Sequence, residues 1–327
     1  MRAARCNEYG PPENITLEDL PTPEFGEGQV LVDVRAASVN YPDVLVMANR
    51  YQVSVPVPFT PGSEFSGSIS AVGPGVARLA VGDAVYGATF VGAFAEQAVV
   101  PEGSLTLVPE GVDLVDAAAF SVVYGTAYYA LTTTGRLEAG DTLVVLGAAG
   151  GVGLASVAIG KLLGARVIAA ASSAEKLAVC RSCGADETID YSRENLKERI
   201  KELTGGVGAD VAIDPVGGEY SEAAYRAMRW RGRYVVVGFA AGEIPRIPLN
   251  LVLLKGAALV GFDIRPFHTN APEELAERGA ELKALLANGK LRPHIASKWP
   301  LSRTADALKE VAERRATGKV IIDPTLP

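Results

Sequence analysis

Histidine and cysteine are scarce in this chain, which has two of the first and three of the second among 327 residues. Three thiols cannot all pair, so no disulfide framework is expected, and the composition points to a reducing, cytoplasmic compartment. His268 and His294 stand outside any ligand spacing. Cys180 and Cys183 form a C-x-x-C, but no second cysteine pair or neighbouring histidine completes a zinc site. The pair reads as two small residues on a helix. Basic residues do not dominate either: the net charge of −7 argues against a nucleic-acid partner held through its phosphates. Every apolar run is broken by Gly, Arg, Lys or Asp before it reaches membrane-spanning length, so no membrane partner is expected. Met1-Arg2-Ala3-Ala4-Arg5-Cys6-Asn7 lacks the apolar core of a signal peptide. Two catalytic signatures are missing as well. No Tyr-x-x-x-Lys occurs, which excludes a short-chain dehydrogenase, and no Gly-x-Ser-x-Gly, which excludes a serine-hydrolase elbow.

What is present is an ordinary globular composition, 48% hydrophobic and 21% charged, with room for two cored domains. The N-terminal third reads as β-rich. Val30, Val32, Val34 and Ala36 alternate with Asp33 and Arg35 as in a half-buried strand. Turn signals then follow closely, at Thr60-Pro61-Gly62, Gly73-Pro74-Gly75, Val81-Gly82-Asp83, Pro101-Glu102-Gly103 and Pro109-Glu110-Gly111. Short strands between them suggest a partly closed barrel. The pattern changes near Asp113: residues 114–132 should be mostly helical, interrupted at Gly125.

From Asp141 onward, β-branched runs alternate with longer helical ones. Strands are predicted at 142–146, 166–170, 187–189, 210–213, 234–237 and 258–262, and helices at 152–163, 174–183, 194–204, 221–228 and 249–255. Six strands joined by crossover helices make a doubly wound parallel sheet. A helix over 272–288, an extended segment over 291–299, a helix over 304–315 and a strand over 319–322 should return to the first domain. The division expected is 1–121 with 266–327 for the β-rich domain and 122–265 for the parallel one.

The most informative run is Leu143-Val144-Val145-Leu146-Gly147-Ala148-Ala149-Gly150-Gly151-Val152-Gly153. A buried strand, a glycine turn and a helix start are how a dinucleotide pyrophosphate is held: backbone N–H groups approach the phosphates, and the helix N-terminus supplies partial positive charge. The second strand ends Ala169-Ala170-Ala171-Ser172-Ser173-Ala174-Glu175-Lys176, without the carboxylate that would bond a ribose 2′-OH. Two hydroxyls and an ammonium suit a 2′-phosphate instead, so NADPH is the expected cofactor. Ser172 and Ser173 are equally suited to capping the next helix, and the two roles are compatible.

These features resemble the medium-chain dehydrogenase/reductases, and most closely their zinc-free quinone oxidoreductase (zeta-crystallin-like) branch. Further residues carry the resemblance: Ser38-Val39-Asn40-Tyr41-Pro42-Asp43, Thr60-Pro61-Gly62-Ser63-Glu64-Phe65-Ser66-Gly67, Gly92-Ala93-Phe94-Ala95-Glu96 and Asp214-Pro215-Val216-Gly217-Gly218. The resemblance spans the chain and implies an α/β fold, a GroES-like β-rich catalytic domain plus a doubly wound parallel Rossmann domain. Zinc-dependent alcohol dehydrogenases of the superfamily carry Cys-x-x-Asp and Gly-His-Glu. Here Asn40 stands in the cysteine's place and Ser63 in the histidine's, so no metal is expected. Without that Lewis acid, the expected substrate is one that accepts hydride readily: a quinone, or an alkene conjugated to a carbonyl.

By the same resemblance, the nicotinamide end should meet Asn40, Thr126 and Tyr128, and the pyrophosphate Gly150, Gly151, Val152 and Gly153. Ser172, Ser173, Lys176 and Tyr191 should surround the 2′-phosphate. Gly238, Phe239 and Ala240, and Gly261, Phe262 and Asp263, should line the nicotinamide side, with Lys319 and Arg315 reaching back from the C-terminal segment. Tyr51 is the candidate proton donor to the developing enolate or hydroquinone oxygen; the alternative is an aromatic that only packs on the substrate. Asn40 either orients the nicotinamide ribose or substrate carbonyl, or is a structural amide bonding a loop carbonyl. Leu45 replaces a tyrosine common in quinone reductases, which favours a more apolar pocket that Phe59, Phe90, Val91, Phe94 and Phe267 would line if they do not simply pack in the core. The expected partner is a small-molecule electron acceptor, with a homodimer formed through the edge strand 258–262. Non-catalytic members of the branch make a nucleotide-binding role without turnover the second reading.

Overall fold

A computed structural model describes residues 1–327 and divides into two compact units: Met1–Val122 with Arg292–Pro327, and Val123–Leu291. In the first, β1 (Arg2–Cys6) pairs antiparallel with β2 (Ile15–Asp19). The hub is β3 (Gln29–Val39), whose apolar alternation buries Val30, Val32 and Val34 and leaves Asp33 exposed. After α1 (Tyr41–Met47), β4 (Glu64–Val72) pairs with β3 and with β5 (Ala84–Ala88). β6 (Gln97–Pro101) joins β3, and β7 (Leu105–Leu107) extends the sheet beyond β5. The core beneath includes Met47, Phe65, Ile69, Val85 and Phe94. α2 (Leu114–Ala118) closes this stretch.

The helical run then breaks at Ala119-Phe120, and α3 (Ser121–Tyr129) passes straight through Gly125. The break expected at Gly125 is therefore misplaced. Glycine costs a helix only modestly, and the new helix starts instead where the Glu64 Oε1 atom accepts from Val122 N at 2.7 Å. The second unit continues through β8 (Thr142–Leu146), α4 (Gly151–Leu162), β9 (Arg166–Ala171), α5 (Ala174–Ser182), β10 (Glu187–Asp190) and α6 (Leu196–Leu203). It proceeds through β11 (Ala209–Asp214), α7 (Glu219–Arg226), β12 (Met228–Val236), α8 (Leu249–Lys255) and β13 (Ala258–Gly261). All six strands are parallel, in the order β10-β9-β8-β11-β12-β13. Both faces of the sheet are covered, which is why β8 and β11 are near-continuous apolar runs. The chain reverses direction of travel across the sheet between β8 and β11, the switch point at which such sheets bind ligands.

Past β13 the chain forms α9 (Arg265–Asn270) and α10 (Pro272–Ala287), then returns to the first unit as β14 (Ile295–Pro300), α11 (Thr304–Ala312) and β15 (Lys319–Asp323). β15 lies between β14 and β3. The return falls at Leu291/Arg292 rather than at 265/266. Hydrogen bonds hold α10 to the start of the second unit: Tyr129 Oη donates to Leu275 O at 2.5 Å and Thr133 Oγ1 to Glu274 Oε1 at 2.8 Å. No helix is long and apolar enough to cross a membrane.

Candidate functional site

The glycine turn in the second unit is built for close backbone approach. Gly147 has φ of +55°, and a Cβ there would lie 2.5 Å from Val216 Cγ2. A Cβ on Gly153 would lie 2.3 Å from Gly147 O, so only glycine lets α4 sit against the turn. Gly150 is the extended N-cap of α4 and makes no side-chain capping bond, so the first N–H groups of the helix, at Gly151, Val152 and Gly153, have no side-chain cap. These four residues are brought together as the sequence pattern requires.

At the end of β9, Ser173 caps α5 by accepting from Lys176 N at 3.3 Å, and Lys176 Nζ donates to Ser172 Oγ at 3.2 Å. Tyr191 joins them because its N–H donates to Ala171 O at 3.1 Å. Glu175 is exposed one position along α5, and β9 itself ends without a carboxylate; Asp190, level with Ala171 in β10, accepts from Ser192 Oγ and pairs with Arg193. The Ser172 and Ser173 hydroxyls and the Lys176 ammonium thus lie together at the end of β9, with the backbone of Tyr191 tied to the same strand end.

Near the switch point sits a buried carboxylate that sequence reading quoted only as part of a motif. Asp214 Oδ1 accepts from Val216 N and Gly217 N, both at 2.8 Å, and Oδ2 from Ser221 Oγ and Tyr234 Oη, both at 2.6 Å. Four donors thus meet the two oxygens of this buried side chain. Burial and this carboxylate raise the Tyr234 pKa well above its usual value. The Asp214 network fixes the loop that puts Val216 over Gly147.

Of the remaining nucleotide candidates in this unit, Thr126 is half-buried on α3. Tyr128 is buried, and its hydroxyl donates to Glu281 Oε2 at 2.8 Å, so its polar end is taken inside the unit. Burial, and then Glu281, push its pKa up. Gly238 and Ala240 are half-buried and Phe239 is 38% exposed after β12. At the end of β13 Gly261 is exposed; beyond it Asp263 is paired with Arg265, and the Phe262 ring is buried 5.8 Å from that of Phe267. Cys180 and Cys183 sit at the end of α5 with thiol pKa values raised by burial, Cys180 to about 12, as inert structural thiols have.

In the first unit, Asn40, Glu64 and Lys319 form a buried polar knot. Lys319 Nζ donates to Asn40 Oδ1 at 2.6 Å and to Glu64 Oε2 at 3.1 Å. Asn40 Nδ2 donates to Glu64 Oε2 at 3.1 Å and to Ser38 O at 3.3 Å. The amide is saturated from within, which favours the anchoring alternative for Asn40, and Lys319 is turned inward rather than outward. Arg315 is exposed and paired with Glu313. Asp43 accepts from Asn40 N at 2.7 Å, and burial pushes its carboxyl up to about 7 against that bond. A zinc ion does not fit this donor set. Asn40 and Ser63 offer an amide and a hydroxyl, and the Lys319 ammonium already holds the oxygens of Asn40 and Glu64.

Tyr51 is half-buried, its ring 6.1 Å from Phe90. Phe90 is 42% exposed, whereas Phe59 and Phe94 are core residues. Thr89 N donates to Ser63 O at 2.8 Å, which draws the Phe90 loop beside the start of β4. Tyr51, Phe90 and Ser63 therefore share one end of this unit.

Comparison with known proteins agrees with both halves. Residues 26–110 match the alcohol dehydrogenase GroES-like domain and residues 151–280 the zinc-binding dehydrogenase domain. A quinone oxidoreductase-like protein 2 homolog of Nematostella vectensis is 39% identical, over 98% of this chain and 88% of its own. A mycobacterial structure complexed with NADPH is 32% identical with a TM-score of 0.91, covering 99% of this chain and all of that one. The Escherichia coli quinone oxidoreductase, also complexed with NADPH, is 28% identical with a TM-score of 0.92 over 99% of this chain and all of its own.

Proposed function

Because the chain belongs to the medium-chain dehydrogenase/reductase family, among its quinone oxidoreductase-like members, we propose that it is an NADPH-dependent reductase of a quinone or of an alkene conjugated to a carbonyl, such as a 2-alkenal, enone, enoyl-thioester or acrylate. The carrying observation is the Ser172–Lys176 contact where β9 ends without a carboxylate of its own, with Tyr191 tied by its backbone to that strand end. An ammonium flanked by hydroxyls attracts a dianionic 2′-phosphate, and an Asp or Glu there would repel it. NADPH, when bound, supplies a hydride.

In this reading the Gly150–Gly153 backbone takes the pyrophosphate, and Ser172, Ser173, Lys176 and Tyr191 take the 2′-phosphate. Thr126 and the loops at Gly238-Phe239-Ala240 and Gly261-Phe262-Asp263 bound the nicotinamide. Asn40 and Lys319 anchor α1 from beneath. The Tyr51 phenol donates a hydrogen bond, then a proton, to the substrate oxygen as negative charge develops on it. Phe90 and Tyr51 offer an apolar face to the body of the acceptor. The protein acts as a homodimer joined at β13.

The test is an NADPH-oxidation screen at 340 nm over quinones, 2-alkenals, enoyl-thioesters and haloacrylates. Turnover with at least one class, and a clear preference over NADH, is expected. Tight NADPH binding with no consumption across all four classes would replace this reading with that of a non-catalytic nucleotide binder.

A further inference from the structure

Next to the proposed 2′-phosphate cluster stands an aromatic that no motif pointed to. Tyr220 lies in the first turn of α7, and its ring is 4.2 Å from that of Tyr191, tilted by 37°. Both rings are half-buried and rest on the hydrophobic core of the second unit. Each is delivered by a rigid connection. Tyr191 is tied to the end of β9 through its backbone bond to Ala171 O. Tyr220 precedes Ser221, which is buried and donates to Asp214 Oδ2 at 2.6 Å, and Asp214 also holds the two N–H groups of the loop leading into α7. The contact between the rings therefore joins two fixed points, one after β10 and one after β11.

We infer that Tyr220 is a positioning residue for coenzyme choice, its ring fixing the plane in which the Tyr191 phenol meets the 2′-phosphate. The inference rests on the role given to Tyr191 above. Two torsions set where a tyrosine hydroxyl lies and the plane of its ring, and a neighbouring ring in tilted contact restricts them. A hydroxyl already aimed at an oxyanion loses less on binding than one that must be ordered first. The benefit falls only on a coenzyme that carries the 2′-phosphate, so Tyr220 acts on the ratio of NADPH to NADH affinity. A tyrosine that merely packed on the core would affect the two coenzymes alike.

The experiment is a fluorescence titration of the full chain with NADPH and with NADH, giving two Kd values for each of five variants. These are Tyr220→Leu, Tyr220→Met, Tyr220→Phe, Tyr191→Phe and the double variant Tyr191→Phe/Tyr220→Leu, with circular dichroism verifying the fold. Tyr220→Leu is expected to lower the NADPH preference about three- to tenfold, with NADH affinity little changed. Tyr220→Met repeats the test should the leucine variant fail to fold. Tyr220→Phe keeps the ring and should keep the preference. Tyr191→Phe should lose it, and the double variant should lose no more than Tyr191→Phe alone. Equal weakening of both coenzymes by Tyr220→Leu, or an unchanged ratio, overturns the inference if Tyr191→Phe still lowers the preference. A Tyr191→Phe variant with unaltered preference overturns the role of Tyr191 itself, and the inference with it.

Discussion

The ammonium of Lys319, in the last strand of the chain, donates to Oδ1 of Asn40 at 2.6 Å across 279 positions of sequence. The same ammonium holds Glu64, and the two side chains of that ion pair are 4% and 0% exposed. Removing one partner of a buried pair leaves the other charged and unpaired, at a cost of about 3–5 kcal/mol. Lys319→Met should therefore destabilise the protein by that order in urea unfolding. Adding Glu64→Gln to Lys319→Met should recover part of the loss, because the stranded carboxylate is gone. Additive losses in the double variant would show that Lys319 and Glu64 do not act as a pair.

Asp43 gives the same region a pH dependence. Its folded-state pKa, pushed up to about 7 by burial, lies above the unfolded value near ~3.9. Between those values the folded protein binds more protons at this site than the unfolded one, so this group's contribution to stability falls as pH rises from about 4 to about 7. Asp43→Asn cannot ionise and lacks that loss. Relative to wild type, the variant should gain stability steadily between pH 4 and 7, by about 4 kcal/mol at most, and no further above pH 8. Parallel stability curves for the two proteins across this range would rule out a neutral Asp43.

Much of this was legible in the chain, and for reasons that differ by region. Thr142–Leu146 and Leu249–Lys255 are found at their expected bounds, since a buried strand into a glycine turn and a helix closed by Gly256 are locally determined. The cluster of Ser172, Ser173 and Lys176 was readable because it is contiguous. α9 was not anticipated: Pro266 looks like a breaker, yet at the first helical positions its missing N–H costs nothing. The return of the chain at Arg292 depends on side chains of α3 meeting α10, which no local pattern encodes. Lys319 was expected to reach a ligand, and its inward turn depends on Glu64 and Asn40, both distant in sequence. Tyr220 escaped notice for the same reason, since only the fold brings it to Tyr191.

Tyr51 carries the proposed proton transfer, and it can be separated from a packing role by which kinetic constant changes. Replacement by Phe keeps the ring beside Phe90 and removes only the hydroxyl. If the phenol donates in the transition state, kcat should fall about 10²-fold while KM and NADPH affinity stay near wild type. A solvent deuterium isotope effect on kcat in wild type should then differ in the variant. Unchanged turnover on the best acceptor would assign Tyr51 to packing alone.

The edge of the parallel sheet predicts the assembly. β13 ends the strand order, with Leu259 41% exposed, and α8, the helix that leads into it, shows Leu249, Leu253 and Leu254 at 83%, 81% and 79% exposure. Trp230, at 67%, adds to this apolar surface. An open strand edge flanked by exposed leucines invites pairing with an identical copy, and a two-fold axis through β13 would cover both at once. Sedimentation should therefore find a dimer at micromolar concentration. Leu253→Asp would place a carboxylate in the middle of that surface, where it must either be desolvated or keep the copies apart. The variant should sediment as a monomer and still bind NADPH, because α8 lies outside the glycine turn and the 2′-phosphate cluster. A wild-type monomer, or a Leu253→Asp dimer as tight as wild type, would reject β13 and α8 as the contact.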